Sequence, residues 1–249
     1  MPVTIPLVLL HPYPADATFW NRLRTELHGS RPILAPDAPG FGGTPALPGW
    51  TIATAADRIA DTIAQTTPGG RAHVMGLSMG GYTALALAIR HPNRVVGLVL
   101  ADTRAGADDA AARTARRGAI ADVRAGRRTA YLAQAISNLV ADTAPQDVRD
   151  ELAACVARQP DASLVDALGA LAGRPDRRGE LGAIASPTLV IVGTKDTITP
   201  LAAANELATG IRTTRMAQIV GAGHLSALER PQAVAEVVDE FLDGLPVPD

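Results

Sequence analysis

Gly76-Leu77-Ser78-Met79-Gly80-Gly81 is the stretch on which the reading of this chain turns. The apolar run His73 to Leu77 before it has the character of a buried strand, and Gly80 to Arg90 after it reads as a helix. A serine on so tight a strand-to-helix turn takes a strained backbone, and neighbouring chain can approach it only if the positions two before and two after lack bulk. Gly76 and Gly80 meet that requirement. The helix that begins there also directs free N–H groups and its positive dipole end at the space over Ser78. This is the setting of a nucleophilic serine; the competing reading is a glycine-rich turn with a capping serine.

Outward from this turn, short aliphatic runs alternate with longer Ala-rich segments, the pattern of a mostly parallel sheet covered by helices on both faces. Strands are predicted at Ile5 to Leu10, Pro32 to Ala35, His73 to Leu77, Val95 to Leu100, Thr188 to Val192 and Met216 to Val220. Helices are predicted at Ala53 to Gln65, Gly80 to Arg90, Ala202 to Ala208 and Pro231 to Phe241. The stretch from Arg104 to Leu181 breaks the rhythm: it is rich in Ala, Arg and Asp and offers amphipathic helical segments but no convincing strand. Turn residues at Gln159-Pro160-Asp161 and Gly173-Arg174-Pro175-Asp176 punctuate it. It reads as a helical insertion, 104–181, in an α/β core made of 1–103 and 182–249.

A serine hydroxyl is a poor nucleophile at neutral pH, so a base must lie within hydrogen-bond reach and something must hold that base. Of the five histidines, His73 falls inside a predicted strand and reads as a satisfied core residue, while His28 and His91 fall near helix ends. His224 differs. It lies in Gly221-Ala222-Gly223-His224-Leu225, between the strand ending at Val220 and the helix from Pro231, and strand ends are where chemistry gathers in a parallel sheet. The acid is expected between serine and histidine in chain order, at another strand end. Asp196, in Gly193-Thr194-Lys195-Asp196, is preferred because its strand immediately precedes the histidine's own; Thr199-Pro200 then reads as an N-cap and first-turn proline. Asp102 is the alternative acid, and also reads as a partner of Arg104 or a cap for the first helix of the insertion. Donors for a developing oxyanion are expected from the backbone of Met79 and, in the early loop His11-Pro12-Tyr13-Pro14, from Tyr13, since the prolines have no N–H. His11 is placed to buttress that loop.

The bulk properties narrow the function class. In 249 residues, 47% are hydrophobic and 19% charged, enough for a large core. Twenty-three basic and 25 acidic side chains leave a formal charge of −2, which favours neither nucleic acid nor an anionic membrane surface, so a small-molecule partner is expected. The lone cysteine, Cys155, has no second thiol for a disulfide or metal site and reads as a small buried apolar side chain. The first ten residues are apolar without a basic leader and read as a first strand rather than a signal peptide. With no run of roughly 18 apolar residues, a soluble, cytoplasmic protein is expected.

Taken together, His11 to Pro14, Asp37-Ala38-Pro39-Gly40-Phe41-Gly42-Gly43-Thr44, Gly76 to Gly81, Gly193 to Asp196 and Gly221 to His224 make the chain resemble the α/β-hydrolase superfamily, specifically small esterase-like members with a helical cap. The resemblance covers nearly the whole chain. It implies a Ser78-Asp196-His224 triad, an oxyanion hole at Tyr13 and Met79, a cap near 104–181 and a structural role for Asp37 to Thr44. Pro12 departs from the His-Gly often found in that early loop. A serine at 78 argues against the relatives that use a carboxylate nucleophile, so hydrolysis of a small-molecule carboxylic ester through an acyl-enzyme is expected, with no metal or organic cofactor. Lactonase, thioesterase, carbon–carbon hydrolase and perhydrolase chemistry share such a triad, and a non-catalytic binding protein is the alternative from another class. The insertion contains Tyr131 but no Trp or Phe, which predicts a pocket walled chiefly by small aliphatic groups.

Overall fold

A computed structural model of the chain describes residues 4–29 and 31–246. Residues 1–3, read above with the first strand, lie outside the described residues. The apolar runs become β1 (Leu7–Leu10), β2 (Ile33–Leu34), β3 (Ala72–Leu77), β4 (Val95–Ala101), β5 (Thr188–Gly193) and β6 (Thr214–Ile219). They pair in parallel in the order β2-β1-β3-β4-β5-β6. Every residue of β1, β3 and β5 is buried, which is why these segments are apolar at consecutive positions instead of alternating. At the edge, β6 is largely polar and ends one residue before the predicted Val220, whose side chain stands in solvent at 81% exposure.

The helices are α1 (Asn21–Glu26), α2 (Ile52–Thr66), α3 (Met79–Arg90), α4 (Ala110–Arg124), α5 (Arg128–Leu139), α6 (Gln146–Ala157), α7 (Asp161–Ala172), α8 (Leu201–Gly210), α9 (Ser226–Glu229) and α10 (Pro231–Asp243). α2 starts at a capping box in which Thr51 and Thr54 satisfy each other's backbone N–H, and it turns Ile52, Ala56, Ile59 and Ile63 to the core. α3 is buried from Met79 to Ala88, and its Gly and Ala residues let it lie close against the sheet. Fully buried side chains such as Phe41 and Leu87 each stabilise the fold by about 1.5–3 kcal/mol. Between β4 and β5 the chain runs through α4 to α7 without a strand among the described residues. Asp109, not Asp102, caps α4, accepting from the Ala112 N–H at 2.7 Å.

One core residue departs from expectation. His73 is buried in β3, but its Nδ1 has no hydrogen-bond partner, so it is not a satisfied core histidine. Burial, with the charge of Arg31, pushes its pKa down to about 4 and keeps the ring neutral.

The sheet order positions the site. The chain leaves β1 for β2 on one side and returns to β3 on the other, so a crevice opens at the carboxyl ends of β1 and β3, where ligands collect in open parallel sheets. The early loop 11–14 leaves β1 there, and Ser78 follows β3.

Candidate active site

Ser78 joins β3 to α3 with φ 54° and ψ −111°, outside the ordinary regions for a residue with a Cβ. The glycines explain how this turn is tolerated. A Cβ at Gly76 would collide with the Gly80 carbonyl, and one at Gly80 with the carbonyl of Leu10. The strained turn is then held from both sides: the Ser78 N–H donates to Ala101 O at 3.0 Å, and Thr103 Oγ1 donates to Ser78 O at 3.0 Å.

The loop after β6 brings His224 to this serine, with Nε2 2.8 Å from Ser78 Oγ. On the other side of the ring, Nδ1 lies 2.9 Å from Asp196 Oδ2. An ionised carboxylate only accepts, so Nδ1 carries the hydrogen and the Nε2 lone pair faces the serine hydroxyl. Asp196 is fixed in turn: Oδ1 accepts from the Ile198 and Thr199 N–H groups at 2.8 and 2.9 Å, and Oδ2 from Thr199 Oγ1 at 2.6 Å. Burial pushes this carboxyl up, but the hydrogen bonds and charge of His224, with those from Thr199, outweigh it and hold the group below its ordinary value. Thr199 is therefore not the N-cap expected for α8. Its side chain is turned to the carboxylate, and no side-chain cap is made there.

Asp102 is buried and left-handed at φ 45°, but it neither pairs with Arg104 nor bonds the imidazole. Its Oδ1 accepts from the Gly193 N–H at 2.9 Å, and Oδ2 accepts from the Ser226 N–H and Oγ at 3.0 and 2.6 Å. It ties the end of β5 to the loop that carries His224. Burial pushes its pKa up; with the Asp196 charge adding to this and His224, Ser226 and Gly193 opposing, it stands at about 7.

A second buried carboxylate, Glu229, escaped sequence reasoning. It accepts from the Gly223 N–H at 3.0 Å, from the Leu225 N–H at 3.4 Å and from the Ala141 N–H at 2.9 Å. The residues on both sides of His224 are thus clamped and joined to the chain just after α5. Its partners are backbone groups, one of them far away in sequence, so no residue pattern announces it.

The early loop is held as expected of a buttress: His11 Nδ1 donates to Pro12 O at 3.0 Å and Nε2 accepts from the Ala38 N–H at 2.9 Å. Within the Asp37 to Thr44 segment, Asp37 accepts from the Ala17 and Gly43 N–H groups at 2.6 and 3.2 Å. Cys155 is buried, as expected, with Sγ 3.5 Å from Asp16 Oδ1. His91 pairs with Asp57, away from the serine.

Ser78 and His224 open into a cavity of about 380 Å³. Its walls match the predicted aliphatic pocket only in part: beside Ala115, Ala135, Leu139, Leu171 and Ile198 they include Tyr13, Tyr82, Tyr131, Arg104, Arg116 and Asn138. The Tyr13 and Tyr131 hydroxyls lie 3.1 Å apart and link the early loop to α5. The aromatic share was missed because only the insertion's own aromatics were counted, whereas Tyr13 and Tyr82 come from the core. Among the described residues, no group of three or more His, Cys, Asp or Glu side chains is arranged to hold a metal ion, and no helix is long and apolar enough to cross a membrane.

A six-stranded parallel sheet with a serine on the turn after β3 and a histidine on the loop after β6 is the α/β-hydrolase architecture, and the chain belongs to the alpha/beta hydrolase family, whose profile matches residues 7–237. The pimeloyl-[acyl-carrier protein] methyl ester esterase of Aromatoleum aromaticum is 30% identical over 255 residues, with 96% of this chain and 98% of that protein covered. An esterase from Thermogutta terrifontis, solved with malate bound, superposes with a TM-score of 0.90 at 31% identity, covering 98% of this chain and 91% of that one. The enol-lactonase of Burkholderia xenovorans LB400 superposes with a TM-score of 0.81 at 27% identity, covering 96% and 92%. This protein is accordingly an ester-cleaving hydrolase of the serine type.

Proposed function

We propose that Ser78, His224 and Asp196 are the nucleophile, base and orienting acid of an acyl-enzyme mechanism acting on a small-molecule carboxylic ester in the cytoplasm. The observation that carries this reading is the unbroken relay Ser78 Oγ, His224 Nε2, His224 Nδ1, Asp196 Oδ2, with both contacts within 2.9 Å. In it, His224 takes the serine proton as Oγ attacks the ester carbonyl, and Asp196 stabilises the imidazolium that results. The tetrahedral oxyanion is received by the N–H groups of Met79 and Tyr13, which donate to no other group among the described residues. Collapse releases the alcohol with the proton held on His224; the imidazole then activates water to release the acid. Residues 104–181 act as the cap that selects the substrate, since Arg116, Tyr131 and Asn138 line the cavity over Ser78.

The name of the Aromatoleum relative makes a pimeloyl-[acyl-carrier protein] methyl ester the first natural substrate to assay. The mechanism itself is tested by fluorophosphonate labelling, with the adduct located by mass spectrometry on Ser78, and by Ser78→Ala. That variant should remain folded and lose on the order of 10⁴-fold or more in hydrolysis of p-nitrophenyl acetate. Near wild-type turnover by Ser78→Ala would falsify the assignment.

A further inference from the structure

We infer that the substrate carries a carboxylate of its own, held by Arg104 while its ester lies on Ser78, so that the preferred substrates are half esters of dicarboxylic acids. This rests on the reading of Ser78 given above and adds the substrate class to it.

The cavity wall is unevenly charged. Arg104 and Arg116 line it together with Ser78 and His224, whereas no Asp or Glu does. Behind the wall a single buried carboxylate, Asp108, is claimed twice: by Arg116, and by Arg174 Nη1 at 2.7 Å. Arg174 is further committed to the face of Tyr82, 4.2 Å from the ring centroid. The next carboxylate in the chain, Asp109, caps α4.

Arg104 is left over. Among the described residues it forms no ion pair, its Nε is buried without a hydrogen-bond partner, and its near polar neighbour is the Tyr82 hydroxyl, itself part of the cavity wall. Asp108 and Asp109 act on it through their charge but not in contact; a guanidinium stays charged at any physiological pH, and a partly desolvated charge with no carboxylate in contact is costly. Its planar fork matches a carboxylate, two parallel N–H···O bonds at once. One unpaired guanidinium also balances a monoanion, where a phosphate monoester would bring a second charge with nothing left to meet it.

The position of Arg104 serves the chemistry. It follows Thr103, whose hydroxyl holds the Ser78 carbonyl, at the point where the chain leaves the end of β4 for the insertion. A carboxylate anchored there and an ester at Ser78 are two ends of one ligand in one cavity, and fixing both ends orients the reacting carbonyl.

The test compares kcat/KM for monomethyl succinate, glutarate and adipate with that for the matching dimethyl esters, in the wild type, Arg104→Gln and Arg104→Lys. The wild type should prefer the half ester for at least one chain length. In Arg104→Gln the half-ester to diester ratio should fall about 10- to 100-fold, mainly through KM, as expected for a lost charge-assisted bond. Arg104→Lys should fall between the two. A wild type that prefers the diester throughout, or a ratio unchanged by Arg104→Gln, overturns the proposal. Inhibition of wild-type p-nitrophenyl acetate hydrolysis needs no variant to fold. Glutarate or adipate should compete and their neutral diamides should not; equal effects of acid and diamide also overturn it. These failures leave the Ser78 reading standing, because that reading falls only if p-nitrophenyl acetate is turned over without Ser78.

Discussion

At the scale of single residues, the two buried aspartates near His224 have been given different work by their donors. Asp196 meets the imidazole at 2.9 Å, whereas both oxygens of Asp102 are taken by Gly193 and Ser226. Asp196→Asn should therefore lose roughly 10⁴-fold in kcat while staying folded, because an amide no longer holds the accepting tautomer or balances the imidazolium. Asp102→Asn should act on stability, by about 1–3 kcal/mol, since it leaves a buried donor unmatched. Steady-state kinetics and thermal melting of both variants check this, and the reverse ranking would move the acid to Asp102. The raised pKa of Asp102 has a definite sign in linkage. Its folded value of about 7 lies above the ordinary 3.8, so the native state holds this proton more tightly than the unfolded chain. The contribution to stability is full below pH 3.8 and is lost as pH rises through 7. His73, with its depressed value of about 4, works in the opposite direction: its contribution is full above its ordinary 6.5 and is lost as pH falls through 4. The difference between wild type and Asp102→Asn isolates the aspartate. Urea midpoints across that window should decline less with rising pH in Asp102→Asn than in the wild type; parallel curves would mean that Asp102 does not titrate there.

At the scale of elements, the turn between β3 and α3 works because backbone takes the place of side chains. Gly76→Ala and Gly80→Ala each add a methyl where the carbonyl of Gly80 or of Leu10 already lies. Both variants should lose soluble expression or activity even though alanine favours helix over glycine at position 80. By contrast, Gly118→Ala in α4, where a Cβ meets nothing, should leave activity unchanged and slightly raise the melting temperature. The loop after β6 depends on α9 in a similar way. Glu229 closes that short helix by accepting from the backbone on both sides of His224 and from Ala141. Glu229→Gln replaces an acceptor oxygen with a donor that faces another donor, so it should cost about 1–3 kcal/mol in denaturant unfolding. A variant as stable as wild type would show that the clamp carries little of the fold's stability.

At the scale of the whole molecule, α5 and the loop after β1 meet over the cavity through the Tyr131 and Tyr13 hydroxyls. Tyr131→Phe cuts that link without emptying the space, so it should shift KM values across an ester panel more than it shifts kcat on p-nitrophenyl acetate. An equal loss on every ester would assign Tyr131 to chemistry rather than selection. The sequence alone was enough for the α/β architecture, because strands buried on both faces must be apolar at consecutive positions and the strained turn at Ser78 needs glycine at fixed short offsets. Ser78, His224 and Asp196 could be singled out for the same reason: each stands at the end of a recognisable strand, and the fold makes strand ends converge. What only the tertiary structure decided were contacts between segments with no common local pattern. Thr199 serves the Asp196 carboxylate instead of capping α8; Asp102 and Glu229 brace the histidine loop; Tyr13 and Tyr82 from the core, with Arg104, add aromatic and cationic walls to a pocket expected to be chiefly aliphatic. Backbone N–H groups carry no residue signature, and a charge shows whether it has a counter-ion only when the folded chain sets every carboxylate in place.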